Sequence, residues 1–135
     1  MRLKINGTEI SKISFGGTDP EKDDLAGKVI NGQKTATSSL EEYYFLGLKK
    51  RSKVGDYFSV LDSSGKEVAL VRIEKIRNIQ FGNVTEKFAV EEGDGSLENW
   101  KAIHQPYYSG LLQKIGKELN DETILVCEWF KVIET

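Results

Sequence analysis

The segment Gly32-Gln33-Lys34-Thr35-Ala36-Thr37 combines residues that could carry out chemistry. A threonine hydroxyl attacks an amide carbonyl when a nearby base removes its proton, and a lysine amine can be that base once burial lowers its pKa. Backbone amides at the Gly32 turn, or the Lys34 ammonium, could instead hold an oxyanion or a phosphate. Any functional site is therefore expected to centre on this run.

Acidic and aromatic residues in the second half of the chain could complete such a site. A carboxyl group such as that of Glu91 or Glu92 could protonate a leaving amine if its surroundings raise its pKa. On a helix the neighbouring Glu91 points about 100° away, so only one of the two can face a cleft well. His104 shares a predicted helix face with Trp100, either as a packed or pocket-lining imidazole or as a general base. Because aromatic rings hold bases by stacking, Tyr107 could line the same cleft.

The signatures of common cofactor and metal sites are missing from the sequence. It has no Walker-type phosphate loop, no Gly-x-Gly-x-x-Gly, no Cys-x-x-Cys and no His-Glu-x-x-His. With one histidine and one cysteine, a conventional zinc site is nearly excluded, so neither a metal nor a cofactor is expected. The cysteine, Cys127, lies in an apolar run and is expected to be a buried structural thiol.

The charge balance argues against a protein that grips long nucleic acid. The formal net charge is −2, whereas such proteins usually have a basic surface that releases counterions. The one dense basic run, residues 49–53, is either a phosphate contact or a solvated loop. No apolar stretch approaches the roughly 20 residues of a membrane span, and the N-terminus does not resemble a signal peptide. A cytoplasmic protein without membrane contact is expected.

Hydrophobic spacing and turn residues predict an alternation of helices and strands. One helix is predicted from an N-cap at Thr18 or Asp19 to Asn31, and a second over 40–46, with Ser38 or Ser39 as its capping residue. A third is predicted over 85–92 with Thr85 as its cap, and a fourth begins with a cap at Ser96, where Pro106 should kink or interrupt the helix. Extended segments are predicted at 35–39, 57–61, 67–79 and 123–133, with a tight turn at 62–65 and a candidate hairpin in 4–10 around Asn6-Gly7. The last strand is apolar on both faces, which is typical of a strand covered on both sides.

These elements favour one α+β domain over residues 1–135. Long hairpins without repeated βαβ units indicate a small curled sheet or β-barrel with helices packed outside. The chain has no Pro-, Gly- or Ser-rich tract at which a linker could be placed.

Five stretches in the same order resemble the ASCH domain family. They are Phe15-Gly16, the helix and Gly-x-Lys-Thr-x-Thr run 25–37, Val54-Gly55-Asp56-Tyr57, the stretch 85–93, and Val126-Cys127-Glu128-Trp129-Phe130. Glu92-Gly93-Asp94-Gly95 and Trp100-x-x-x-His104 resemble a bacterial standalone subgroup of that family. The resemblance covers nearly the whole chain.

The resemblance implies a β-barrel related to the PUA fold, with a cleft that binds RNA or a nucleotide-like ligand. One branch is similar to amidohydrolases that remove the acetyl group from N4-acetylcytidine. Its catalytic set would fall on Lys34 as base, Thr37 as nucleophile and Glu92 as acid. The expected ligand-binding residues are Phe15, Gly16, Gly32, Thr35, Arg72, Trp100, His104 and Tyr107. Ser39 stands where many members have an arginine, and Arg72 or Arg77 could replace that cation.

Three functions stay open on the sequence. The favoured one is an RNA- or nucleoside-binding domain, whose partner would be a nucleoside, a nucleotide or a short single-stranded RNA segment. The second is hydrolysis of an acylated nucleobase by Lys34, Thr37 and Glu92. The third is a metal-independent ribonuclease that uses the same cleft. The acidic balance favours a small ligand over a long duplex.

Overall fold

The structure, a computed structural model, describes residues 4–5 and 8–135, with side chains from Ile10 onward. The chain forms two compact units. The first unit comprises residues 1–35, 52–75 and 129–135, and the second comprises residues 36–51 and 76–128. In the part of the chain that is described, no helix is both long and apolar enough to cross a membrane.

Helices and strands alternate along the chain, as the sequence predicts. The helices are α1 Asp19–Ile30, α2 Glu41–Phe45, α3 Glu86–Glu91 and α4 Leu97–Gln113, with a 3₁₀ turn at Phe81–Asn83. The strands are β1 Lys4–Ile5, β2 Thr8–Glu9, β3 Ser11–Ile13, β4 Ala36–Leu40, β5 Tyr57–Leu61, β6 Glu67–Gln80 and β7 Ile124–Glu134. The strand order of the main sheet is β3-β5-β6-β7-β4, and β1 pairs with β2. The predicted α+β fold class is confirmed.

In the first unit, α1 begins and ends where the sequence predicts. Thr18 is its N-cap and forms a capping box with Glu21, which satisfies amide groups that the first turn would otherwise leave unpaired. Gly32 follows the helix with a φ of 84°, a conformation that glycine adopts without steric cost. The chain therefore leaves α1 in a defined direction, immediately before Lys34.

The rest of the first unit is built on β5 and the first half of β6. These strands pair antiparallel, while β3 runs parallel to β5. The Asp62 carboxylate accepts hydrogen bonds from the amides of Ser64 and Lys66 and so fixes the turn between β5 and β6. The predicted hairpin is confirmed. The antiparallel pair β1–β2 agrees with the candidate N-terminal hairpin, whereas its turn, Asn6-Gly7, lies outside the described residues.

In the second unit, α3 and α4 begin at the predicted caps. The Thr85 hydroxyl accepts a bond from the amide of Phe88, and the Ser96 hydroxyl accepts one from the amide of Asn99. Of the kink or interruption predicted at Pro106, the interruption is wrong, because α4 continues through this proline to Gln113. Buried side chains on both sides of the proline, including Trp100 and Leu112, offset the backbone hydrogen bond that a proline removes.

The helix α2 lacks the serine cap that the sequence predicts. Its N-cap is Leu40, which makes no side-chain hydrogen bond to the helix. The hydroxyls of Ser38 and Ser39 bond elsewhere, Ser38 to Glu92 and Ser39 to the Tyr44 hydroxyl. The capping prediction is wrong because both hydroxyls belong to tertiary contacts of β4.

The closing strand β7 is covered on both faces only in its first half. Residues 125–128 are buried in succession, whereas exposed positions recur from Lys131 onward. Cys127 is buried, as predicted, and burial together with the nearby charges of Glu92 and Glu128 raises its thiol pKa to about 12. This thiol is therefore structural at neutral pH.

Candidate functional site

The predicted site residues are divided between the two units. Those in the first unit are Phe15, Gly16, Gly32, Lys34, Thr35 and Arg72. Those in the second unit are Thr37, Glu92, Trp100, His104 and Tyr107.

In the first unit, Lys34 is a buried cation held against an aromatic ring. Its side chain is almost inaccessible, with a residue exposure of 4%. Its amide donates to the Lys28 carbonyl at 3.0 Å, and its ammonium lies 4.8 Å from the centre of the Phe15 ring. Phe15 in turn stacks on Phe130, with ring centres 6.0 Å apart. A cation over a ring face is stabilised by the ring quadrupole, so this arrangement fixes the Lys34 side chain.

The remaining predicted residues of the first unit have varied surroundings. Gly16 has a φ of 90°, and a Cβ there would lie 2.9 Å from the Glu21 Cβ, so only glycine fits. Gly32 is exposed, whereas the Thr35 carbonyl accepts a bond from the Phe130 amide at 2.9 Å. Arg72 is exposed on β6.

In the second unit, three groups converge on one oxygen of a buried carboxylate. Glu92, the C-cap of α3, has an exposure of 4%. Its Oε2 accepts a bond from Trp100 Nε1 at 2.5 Å and one from Ser38 Oγ at 2.8 Å. His104 Nε2 lies 3.5 Å from the same oxygen. The Glu92 cluster consists of Ser38, Glu92, Asp94, Trp100, His104 and Tyr108.

A chain of hydroxyl groups extends this network. The Tyr108 hydroxyl lies 2.5 Å from Ser38 Oγ. Because Ser38 has one hydroxyl proton and gives it to Glu92, Tyr108 is the donor in its own bond to Ser38. Burial, and next the charge of Glu92, raise the pKa of Tyr108 well above its ordinary value, so the phenol keeps its proton. The direction of donation is therefore Tyr108 to Ser38 to Glu92.

His104 bridges two carboxylates and one carbonyl. Its Nδ1 lies 2.9 Å from the Trp100 carbonyl oxygen, which can only accept, so Nδ1 carries a proton. Its Nε2 then faces Glu92, and Asp94 Oδ2 lies 3.6 Å from Nδ1. Burial, the largest single influence, lowers the pKa of His104. The hydrogen bond and charge of Glu92, the Trp100 carbonyl and the charge of Asp94 outweigh burial, so that this pKa is raised.

Four rings on α4 contact one another in a series that runs from a buried ring to an exposed one. His104 stacks on Trp100 with centres 4.4 Å apart and contacts Tyr108 at 5.5 Å. Tyr108 contacts Tyr107 at 5.4 Å, and Tyr107 is 59% exposed, whereas Trp100 has no exposed surface. The exposed ring of Tyr107 is therefore the outer end of a continuous aromatic series.

Thr37 and Ser38, and likewise Glu91 and Glu92, are neighbours in the chain that differ in orientation or in burial. Successive side chains of a strand point to opposite faces, so Thr37 lies on the face of β4 opposite Ser38. The structure buries Glu92, while Glu91 is half-buried. Neither Ser38 nor Asp94 was predicted from the sequence to be a site residue. Two sequence features could have indicated them: the alternation of side chains along β4 for Ser38, and the position of Asp94 two residues after Glu92.

Among the residues that the structure describes, Glu92, Asp94 and His104 form a group that could hold a metal ion. One ligand atom from each lies within 4.8 Å of the others. However, Glu92 Oε2 already accepts two N–H or O–H bonds, and His104 Nδ1 is bonded to a carbonyl. The group is therefore a hydrogen-bonded cluster whose central acid–base pair is Glu92 and His104.

Fold and cluster together define a small α+β domain with a buried carboxylate beside a series of aromatic rings. Residues 11–134 match the model of the ASCH domain family, and the chain belongs to that family. The predicted family and fold are confirmed.

Two solved structures are similar to this chain over most of its length. One is an ASCH domain from Lactobacillus crispatus, with 29% identity and a TM-score of 0.89, covering 93% of this chain and 80% of that one. The other is protein EF3133 from Enterococcus faecalis, with 26% identity and a TM-score of 0.85, covering 94% of this chain and 78% of that one. No curated protein is significantly similar to the chain.

Proposed function

We propose that this ASCH domain binds a nucleoside, a nucleotide or a short single-stranded RNA segment at the Glu92 cluster. The observation that carries the proposal is the Glu92 carboxylate, which is buried and held by Trp100 and Ser38 beside stacked aromatic rings. ASCH domains generally bind RNA, which is consistent with a ligand of this class.

The chemistry of the cluster suits a nucleobase. Exocyclic amino groups of bases are hydrogen-bond donors, and the carboxylates of Glu92 and Asp94 are acceptors. The side chains of Asp94 and His104 are 10% and 13% exposed, so they form the accessible edge of the cluster. A base that donates to this edge could stack on the exposed ring of Tyr107, a contact worth about 1–3 kcal/mol.

Charge limits the size of the ligand. The chain has a net charge of −2, so it lacks the general attraction for phosphates that long nucleic acids require. Recognition by a carboxylate and aromatic rings needs no excess of basic residues. A nucleoside or a few nucleotides therefore suit the cluster better than a duplex.

Calorimetric titration with nucleosides, nucleotides and short RNA oligomers tests the proposal. We expect binding by the native protein and at least a tenfold weaker affinity in Asp94→Asn and Tyr107→Ala, since each removes a contact worth about 1.4 kcal/mol or more. Glu98→Gln, an exposed change in the first turn of α4, is the matched control. The proposal fails if no such compound binds, or if the control weakens binding as much as the two variants.

A second candidate is hydrolysis of an acylated nucleobase such as N4-acetylcytidine. The observation that favours it is the Ser38 hydroxyl, which already donates to the Glu92 carboxylate at 2.8 Å. Glu92 would take the hydroxyl proton while the oxygen attacks the carbonyl carbon, and would then pass that proton to the departing amine. Water would hydrolyse the resulting acyl ester and release the carboxylic acid.

Turnover of N4-acetylcytidine separates this candidate from binding alone. Ser38→Ala should abolish turnover if Ser38 is the nucleophile, whereas loss in Thr37→Val and Lys34→Ala would support the assignment that the family resemblance implies. Binding without turnover by the native protein would rule out this reaction for that substrate. If the native protein instead cleaves an RNA oligomer offered in place of N4-acetylcytidine, a ribonuclease is supported.

A further inference from the structure

The loop after α2 exposes apolar and basic side chains together. The α2-loop patch consists of Phe45, Leu46, Leu48, Lys49, Lys50 and Arg51, all within the second unit. Phe45 is 68% exposed, Leu46 51% and Leu48 62%. Exposed apolar side chains that adjoin one another usually mark a binding surface, whereas scattered ones do not.

Backbone hydrogen bonds hold the patch in a defined conformation. The amides of Leu48 and Lys49 both donate to the Tyr43 carbonyl, at 2.9 and 3.2 Å. Tyr43 is itself tied to α4 through its hydroxyl, which donates to the Leu111 carbonyl at 2.6 Å. A surface that is ordered before binding loses less conformational entropy when a ligand arrives.

Three adjacent cations border the apolar side chains. Lys49, Lys50 and Arg51 form no ion pair with any residue that the structure describes. In the same unit Lys117 does form an ion pair, with Glu42 at 3.3 Å. Positive charge is thus concentrated here on a chain whose net charge is −2.

Arg51 joins the basic and aromatic parts of the patch. Its guanidinium lies 5.4 Å from the centre of the Phe45 ring and 5.3 Å from that of Tyr44. Tyr44 is buried and bonded to Ser39, whereas the Phe45 ring is largely in solvent. Guanidinium and aromatic planes are the surfaces on which proteins stack unpaired bases.

We propose that the α2-loop patch binds single-stranded RNA, with Lys49, Lys50 and Arg51 on successive phosphates and a base stacked on Phe45. The inference rests on the proposed function only in taking nucleic acid as the ligand, since none of its residues belongs to the Glu92 cluster. The patch gives the domain a second contact with RNA that does not depend on base sequence. A free nucleoside has no phosphates and therefore cannot make this contact. Three apolar side chains on a five-residue helix and its loop are too few for the continuous apolar face with which amphipathic helices bind membranes.

Fluorescence anisotropy with a labelled 12-nucleotide oligouridine tests this contact. The variants are Phe45→Ala and the triple change Lys49→Gln/Lys50→Gln/Arg51→Gln. The matched control removes the same charge from exposed lysines in α3, in α4 and at the C-cap of α4, Lys87→Gln/Lys101→Gln/Lys114→Gln. Each protein is titrated at 50 and 200 mM salt.

Three phosphate contacts predict a definite salt effect. For single strands, the logarithm of the binding constant falls with the logarithm of the salt concentration by about 0.7 per phosphate contact. Raising the salt from 50 to 200 mM should therefore weaken native binding about 20-fold more than it weakens binding by the patch triple variant. Phe45→Ala should weaken binding at least about fivefold through lost stacking. The control triple should keep the native salt dependence.

The outcomes separate this inference from the proposed function. If the native protein binds nucleosides but the patch variants bind oligouridine as tightly as it does, the patch inference is wrong and the cluster proposal stands. If patch variants lose oligouridine while native nucleoside binding is absent, the patch stands and the cluster proposal fails. If the native protein binds vesicles containing phosphatidylserine more tightly than oligouridine, the ligand of the patch is a membrane and the RNA inference is wrong. If the native protein self-associates and Phe45→Ala does not, the partner is a second copy of the chain and the RNA inference is also wrong.

Discussion

The Glu92 cluster and the α2-loop patch lie in the same unit but use polar and aromatic groups in opposite ways. The cluster buries a carboxylate and surrounds it with hydrogen-bond donors, so its groups have fixed positions. The patch exposes its cations and apolar side chains, and two of the cations, Lys49 and Arg51, lie beside the Tyr44 ring. A buried network can discriminate between ligands because any mismatch leaves a polar group unpaired, whereas exposed charge adds affinity without selectivity. The comparison implies that substitutions in the cluster affect stability and those in the patch do not.

The largest effect is expected from the centre of the cluster. Trp100→Ala removes a fully buried indole and the donor to Glu92, and should lower the free energy of unfolding by about 3–5 kcal/mol. Trp100→Phe keeps an aromatic ring but removes the N–H donor, so it should cost about 1–3 kcal/mol. Urea unfolding of both variants measures the difference. A loss below 1 kcal/mol in Trp100→Ala would contradict a packed cluster.

Ser38→Ala should have a smaller but clear effect. It removes a donor to Glu92 and the acceptor for Tyr108, leaving buried groups short of a partner, at a cost of about 1–3 kcal/mol. Ser64→Ala, in the exposed turn after β5, is a comparison in which solvent replaces the lost bond. Equal losses in the two variants would mean that the Ser38 hydroxyl is not part of a buried network.

The charge state of His104 should make stability depend on pH. Its pKa is raised in the folded protein by Glu92, Trp100 and Asp94, which together outweigh burial. The resulting stabilisation is complete below the unfolded pKa of about 6.5 and is lost as the pH rises through the higher folded value. Since His104 is the only histidine, one NMR titration gives its pKa without ambiguity. Glu92→Gln should lower that pKa, and an unchanged value would contradict the pairing.

The smallest effect is expected from the patch. The triple change of Lys49, Lys50 and Arg51 to Gln alters exposed side chains without ion pairs among the described residues, so the free energy of unfolding should change by about 0.5 kcal/mol or less. Thermal unfolding of this variant and of the control triple measures it. A loss of several kcal/mol would show that the patch is structural and would remove the contrast with the cluster.

Local patterns in the sequence predicted most of the fold. The caps at Thr18, Thr85 and Ser96, and the turn at Asp62, depend on residues close together in the chain, and the structure has them where predicted. The uninterrupted course of α4 through Pro106 was not predictable, because it depends on burial contributed by the whole unit.

The candidate site was less accessible to sequence reasoning. The residue types of the Gly32-to-Thr37 run predicted Lys34 and Thr37 as site residues. The structure shows that Lys34 is buried and that its ammonium lies over the Phe15 ring. The structure adds Ser38, whose hydroxyl donates to Glu92 and also bonds to Tyr108, residues that are 54 and 70 positions away in the chain. Local sequence patterns do not indicate such distant pairing, so the sequence predicted Ser38 or Ser39 only as a residue that begins a helix.

The central claim, that a nucleobase ligand binds at the Glu92 cluster, is tested most directly by the indole N–H resonance of Trp100. This proton is donated to Glu92, and Trp129→Phe leaves Trp100 as the only tryptophan, which assigns the signal. Titration with a nucleoside that binds should shift this resonance and the His104 ring signals along the same saturation curve. Saturable binding that leaves both unchanged would contradict the account.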